Sequence, residues 1–280
     1  MAGIINWNEL WKVRRSGHYQ RRAHEEDAGK KLERAKKFSE WAIRDKENAE
    51  KQIAPITLKP GYTVLDVGAG TGRLAIPIAK RVKTVTAIDQ SKEMLACLQE
   101  NMEKVGITNI VCINKRWEDI ALEVDIEPHD VVMACHSLGM FDLQEAVAKM
   151  DAAAKKYVYI LTSAGRWMDE KHWKELYGES LSTDYIYIYN ILHDMKIYAN
   201  VDIRDAESEQ RYESLDDAVT KWKEMRDIPT EKEGVLREHL SKMLVEDDGT
   251  GALCLKRKSK IATIWWQKSL LKPEGVESSK

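Results

Sequence analysis

VLDVGAGTGRL, residues 64–74, is the stretch on which the reading of this chain turns. An apolar, partly β-branched run reaches Asp66, and Gly68, Gly70 and Gly72 follow at alternate positions before Arg73. Glycines let backbone approach a ligand because no Cβ intrudes. A helix behind such a turn is expected to offer unpaired N–H groups and a positive dipole end. Dinucleotide sites use Gly-x-Gly-x-x-Gly, and this turn is one residue tighter. Asp89 ends Ala-Ile-Asp, 17 residues after Gly72. An acid at that distance can accept two hydrogen bonds from a ribose diol.

Outward from the turn, strand-like and helical patterns alternate. Strands are expected at 63–67, 84–88, 109–113, 130–135 and 157–162, with helices over 73–82, 92–105 and 142–154. Gly106 sits where a helix C-cap is expected. Buried-type strands alternating with amphipathic helices predict a parallel sheet covered on both faces. Upstream, residues 1–57 read as helical, with one long stretch from Glu25 to about Ala54. Downstream, residues 184–198 favour a helix, 200–204 a strand, 214–225 and 230–245 two helices, and 253–267 a hairpin or terminal strand. Ser214 and Asp217 stand in capping-box positions, with Asp replacing the usual Glu or Gln.

VLDVGAGTGRLAIPIA, TAIDQSKEML, RWEDI and DVVMACHSLGMFDL together resemble the motif series of class I S-adenosylmethionine-dependent methyltransferases over about residues 60–165. The resemblance implies an α/β fold: a Rossmann-like, doubly wound, seven-stranded sheet of order 3-2-1-4-5-7-6 with its last strand antiparallel. It implies a cofactor across the carboxyl ends of the first strands, at the topological switch point. Asp66, Gly68, Ala69 and Gly70 would surround the methionine end, Asp89 would bind the ribose, and Gln90 would lie beside the adenine. Trp117 would flank the adenine and Glu118 would accept from its amine, although Arg116 stands where an acid is usual. Cys135 and His136 would face the sulfonium and the substrate, with His136 as a general base or a simple hydrogen-bonding group.

Two flanks complete the expected organisation. Residues 1–57 form an N-terminal helical cap, and residues 58–280 form the methyltransferase domain with a helical insert at about 214–249. Trp7 and Trp11 share one helical face at i, i+4, as a lid over an aromatic or cationic substrate or as a stripe packed on the body. With Tyr19 and Arg166 they are the candidate acceptor contacts. Tyr185, Tyr187 and Tyr189 alternate as in a strand, and Trp265 and Trp266 point to opposite faces, so at least one should be core.

Bulk properties narrow the partners. A net charge of −2 gives no global attraction for nucleic acid or anionic membranes. Residues 11–40 carry ten basic against five acidic side chains, and KRKSK (256–260) is a second basic cluster, so an RNA-facing patch competes with solvated surfaces. The segment after the fourth strand, ACHSLGMF, lacks the Asn/Asp-Pro-Pro-aromatic turn of base-amine methyltransferases. Cys97, Cys112, Cys135 and Cys254 show no metal spacing, which fits a reducing, cytosolic setting without metal. Cys135 is either a nucleophilic thiol or a small buried residue. No stretch approaches the ~20 apolar residues of a membrane span. The expectation is therefore S-adenosylmethionine-dependent methyl transfer to a small molecule. RNA or protein methylation is the alternative, and non-catalytic cofactor binding is a second.

Overall fold

Short apolar strands bury on both sides only when helices cover both faces of their sheet. That arrangement is found in the computed structural model, which describes residues 5–22, 28–165, 170–177, 184–226, 228–247 and 252–268. Helices α1 (Trp7–Arg22), α2 (Ala28–Arg44) and α3 (Lys46–Ile53) precede the sheet. Then follow β1 (Thr63–Val67), α4 (Ala75–Ala79), β2 (Thr84–Asp89), α5 (Lys92–Val105), β3 (Ile110–Asn114), β4 (His129–Cys135), α6 (Leu143–Ala153) and β5 (Ala154–Ser163). The remainder is α7 (Glu170–Tyr177), α8 (Tyr185–Asp194), β6 (Asn200–Tyr212), α9 (Leu215–Arg226), α10 (Glu233–Met243), β7 (Leu244–Glu246) and β8 (Leu253–Gln267).

The main strand path is β3-β2-β1-β4-β5-β8-β6, with β1 to β5 parallel and β8 antiparallel to both neighbours. This is the expected order, but the sheet has eight strands because the short β7 also pairs with β8. Two apolar cores lie on opposite faces. One joins Trp11, α6 and Tyr187, Ile188, Ile191 and Leu192 of α8. The other joins Ala49 and Ile53 of α3 to α4 and to Leu95 and Leu98 of α5. Trp266 packs into the first, while Trp265 stacks on Tyr159 against the second. A third cluster gathers Leu176, Tyr212, Trp222, Leu236, Leu240 and Leu255 from α7, β6, α9, α10 and β8.

Local chemistry explains most boundaries. Gly106 takes φ 68° and closes α5, its N–H donating to Glu103 O while the Ile107 N–H donates to Met102 O. Ser214 Oγ accepts from the Asp217 N–H at 3.1 Å, and the Asp217 carboxylate accepts from the Glu213 N–H at 3.1 Å, a capping arrangement in which Asp does the work of Glu. Residues 184–198 are helical over Tyr185–Asp194, so the three tyrosines lie on a helix and not a strand.

Four spans differ from expectation. The helix after the glycine turn shrinks to Ala75–Ala79, because Gly72 holds a positive φ and Pro77 cannot donate to the helix ladder. The long cap helix breaks at Asp45, whose backbone leaves the helical region. Residues 230–245 divide into a single 3₁₀ turn, α10 and β7. The largest change is β6, expected over 200–204, which runs on through the polar residues to Tyr212. Its partner supplies the reason. Asp205, Glu207 and Glu209 lie opposite Lys260, Lys258 and Lys256 of β8, and opposite charges directly across an antiparallel pair favour pairing.

Candidate functional site

The three glycines serve different purposes. A Cβ on Gly68 would lie 2.3 Å from Ser137 Cβ, so this glycine admits the loop after β4. A Cβ on Gly72 would lie 2.2 Å from Leu98 Cδ1, so this one admits α5. Only at Gly70 is there room: the nearest atom is Phe38 Cε1 of α2, at 3.7 Å. The cradle for a ligand is therefore the backbone around Gly70, roofed by α2.

The turn's N–H groups are used internally. Gly68 N and Ala69 N both donate to Ile88 O, at 2.8 and 3.0 Å, and Gly70 N donates to Asp89 Oδ2 at 2.8 Å. A phosphate-binding turn directs such groups at its ligand; this one spends three of them holding β1 to β2. The five-residue α4, with no side-chain cap, is a poor dipole site as well. The N–H groups of Gly68, Ala69 and Gly70 are thus spent inside the fold, and beside them the turn presents the Asp89 carboxylate.

Asp89 accepts from the N–H groups of Gly70 and Ser91, leaving lone pairs on both oxygens. Burial raises its pKa, with the backbone N–H groups pulling the other way. Asp66 is only 3% exposed. Burial and the Asp89 charge push its carboxyl up to about 7, against the pull of Arg73. Two carboxyl groups sharing a poorly solvated site favour a cationic ligand.

Arg73 is a site residue that the motif reading passed over. Its guanidinium donates to Asp45 Oδ2 at 3.0 Å and to Gln52 Oε1, and meets Cys135 Sγ at 3.6 Å. It also lies 5.6 Å from the Trp41 ring. The cap is therefore fastened over the turn from both sides of its break at Asp45. Asn101 of α5 adds to this, donating to Ser39 Oγ at 2.8 Å and Thr71 O at 3.1 Å. Nothing in the local sequence marks Asp45, Gln52, Phe38 or Trp41; a tertiary contact alone brings them to the turn.

At the end of β4, burial pushes the Cys135 thiol up to about 12, so it is protonated and a poor nucleophile. It is a small, half-buried residue whose thiol faces Gln52 Oε1 at 3.4 Å. His136 adopts φ 52°, a left-handed turn that swings the chain over the strand end, and its N–H donates to Leu161 O. Its side chain keeps an exposed edge, yet desolvation by the surrounding chain, then the Arg73 charge, pushes its imidazole down to about 4. That shift favours the hydrogen-bonding role over that of a general base.

Other expected contacts are placed elsewhere. Trp117 is core: 4% exposed, its indole N–H donates to Ala146 O at 3.0 Å. Glu118 is exposed and pairs with Arg116 at 3.1 Å, while Gln90 is exposed beside Asp89. Trp11 is 1% exposed and donates to Met140 O at 2.9 Å, and Trp7 meets the Tyr187 ring edge-on at 5.7 Å. These contacts seat α1 on the body. The Tyr19 side chain and Arg166 lie outside the described residues. Two of the four cations in the KRKSK run are matched, Lys260 meeting Asp205 at 2.7 Å and Lys258 meeting Glu207 at 3.7 Å. Among the described residues no helix is long and apolar enough to cross a membrane, and no cluster of His, Cys, Asp and Glu could hold a metal.

A parallel switch-point sheet and a glycine turn flanked by Asp66 and Asp89 make up the candidate site. Residues 64–157 match the family model described as a methyltransferase domain. An uncharacterised protein from Haemophilus influenzae is 32% identical over 158 residues, covering 56% of this chain and 58% of its own length. Ribosomal RNA small subunit methyltransferase A from Magnetococcus marinus is 31% identical over 90 residues, covering 32% of this chain and 30% of its own. The chain thus spans little more than half of one curated relative and under a third of the other. In fold, it resembles the plantazolicin methyltransferase BamL, solved in complex with SAH, at TM-score 0.52 and 15% identity over 94% of this chain and all of that one (100%). Residues 64–157 are thus similar to the methyltransferase-domain family, and the fold to that of a solved methyltransferase.

Proposed function

We propose that the protein transfers the methyl group of S-adenosylmethionine to a small-molecule acceptor. One observation carries the cofactor reading: Gly68, Ala69 and Gly70 spend their N–H groups inside the fold, while Asp66 and Asp89 supply negative charge beside Gly70. That pattern suits a cationic cofactor without phosphates. When bound, the cofactor supplies a methyl already activated by a positive sulfur, so the protein's work is alignment, which can contribute up to ~7–11 kcal/mol. Asp89 would hold the ribose through its remaining lone pairs, with Gln90 and Glu118 toward the adenine side. Asp66, Gly68, Ala69 and Gly70 would line the methionine end, and Arg73 would face its carboxylate. Cys135 would pack beside the sulfonium. Neutral His136 would orient the acceptor through a hydrogen bond and would not keep its proton.

The paired lysines of the β6–β8 ribbon favour a small acceptor over RNA, because ions already matched across the strands release few counterions on nucleic-acid binding. The cap of residues 1–57 and the helical insert would frame the acceptor on two sides. Calorimetry with S-adenosylmethionine tests the first half: Asp89→Ala should weaken binding by about 1.5–3 kcal/mol, the range for hydrogen bonds to a charged group. Unchanged affinity would sink the assignment. Radiolabelled cofactor incubated with the small-molecule and macromolecular fractions of a cell extract tests the second half. Label entering only RNA or protein would refute a small acceptor, and tight cofactor binding without turnover would leave a sensor.

A further inference from the structure

β8 pairs with β5 only over Ile261–Gln267, so its first half continues past Ser163, the carboxyl end of β5, paired with β6. This two-stranded ribbon carries α9 and α10 beyond the catalytic edge of the sheet. On one ribbon face each lysine has an acid opposite it: Lys256 with Glu209, Lys258 with Glu207, Lys260 with Asp205. Arg257 breaks the pattern. It points to the other face, where its cross-strand neighbour is Ser208.

There the guanidinium lies 5.4 Å from the ring of Trp222, which is 0% exposed, and the guanidinium of Arg226 lies 5.2 Å from the same ring. Trp222 is held in place by Tyr212, whose hydroxyl accepts its indole N–H at 2.7 Å and donates to Gln210 Oε1 at 2.7 Å. Arg257 Nε is buried with no hydrogen-bond partner, and no carboxylate meets this guanidinium among the described residues. Burial and the neighbouring Arg226 charge hold its pKa below the usual arginine value. A half-buried guanidinium whose buried Nε–H meets no acceptor is costly unless an anion joins it.

The position suits the acceptor. Arg257 lies four positions before Ile261, or roughly 13 Å of strand at about 3.3–3.4 Å per residue. Alternation places Arg257 on the β8 face of Trp265, the face whose core Cys135 packs against. Lys37 of α2 reaches Glu224 of α9 at 2.8 Å, so the roof over Gly70 also touches this lobe. We propose that Arg257, with Arg226 beside the Trp222 ring, binds a carboxylate or phosphate group of the methyl acceptor, remote from the accepting atom. The proposal rests on the methyl-transfer reading and adds that the acceptor is an anion.

The test titrates the full chain with inorganic phosphate and, separately, succinate at constant ionic strength, following binding by calorimetry and Tm. Saturable binding that weakens at least tenfold in Arg257→Gln is expected, with S-adenosylhomocysteine affinity unchanged. A preference for phosphate or for succinate identifies the group. No saturable binding, or equal binding in the variant, overturns the proposal. Should Arg257→Gln fail to fold, Arg257→Lys decides, because it keeps the charge but loses the planar fork; undiminished affinity there overturns the proposal too. Cofactor binding is read in the same samples, so its absence would sink the methyl-transfer reading while leaving the anion result legible. In extract, the methylated product should be retained by an anion-exchange resin. A neutral or cationic product overturns the proposal, as does Arg257-dependent binding of a short RNA in place of small anions.

Discussion

Asp66→Asn tests the electrostatics at the centre of the site. Burial first, and the Asp89 charge second, raise the Asp66 carboxyl from 3.8 to about 7 in the folded chain. The folded value lies above the unfolded one, so the stabilising contribution is full below about pH 4 and is lost as pH rises through about 7. At 1.36 kcal/mol per pKa unit, that shift amounts to about 4 kcal/mol of lost stability at alkaline pH. The asparagine variant carries no such charge. Its stability relative to wild type should therefore rise between pH 4 and pH 8 by about 2–4 kcal/mol, the upper figure assuming no relaxation around the carboxylate. Urea unfolding of both proteins across that range measures the gap, and the other titrating groups largely cancel in the difference. A gap that stays constant within about 0.5 kcal/mol would refute the buried, shifted carboxyl. Cofactor affinity provides the second readout. A cationic ligand favours ionised Asp66, so wild-type affinity should increase with pH through about 7, while that of Asp66→Asn should stay flat.

Three further outcomes are expected. Gly72→Ala combines φ 86° with a Cβ 2.2 Å from Leu98, and left-handed strain plus overpacking should cost about 2–5 kcal/mol in urea unfolding. Gly70→Ala meets nothing closer than 3.7 Å and should cost only about 1–2 kcal/mol while losing cofactor binding; equal stability losses in the two variants would contradict their different surroundings. Arg73→Met leaves the nearly buried Asp45 without its cation and should destabilise the fold by about 3 kcal/mol or more, with faster hydrogen exchange in α2 and α3. NMR titration of His136 should show its midpoint near pH 4; a midpoint near the 6.5 of a free imidazole would return it to the role of general base.

Much of the fold is legible in the chain's periodicities. The strands of the parallel half need only a few consecutive apolar residues bounded by turns, and Gly106, Ser214 and Asp217 mark helix ends through local hydrogen bonds. The polar stretch of β6 was not legible, because RDAESEQRY becomes a strand only through acids that find the lysines of β8 about fifty residues later. The same limit applies to the cap, where only tertiary contact brings Phe38 and Trp41 to Gly70 and Arg73.

VLDVGAGTGRL and Asp89, by themselves, determined the switch-point sheet and the kind of turn, since glycine spacing and strand-end acids act over a few residues. Tertiary structure alone decided what that turn offers. Whether its N–H groups face a ligand or Ile88, whether His136 can hold a proton, and whether a lysine is bare or matched all depend on groups distant in sequence. Burial and charge neighbours are sums over the packed molecule, and no local window contains them.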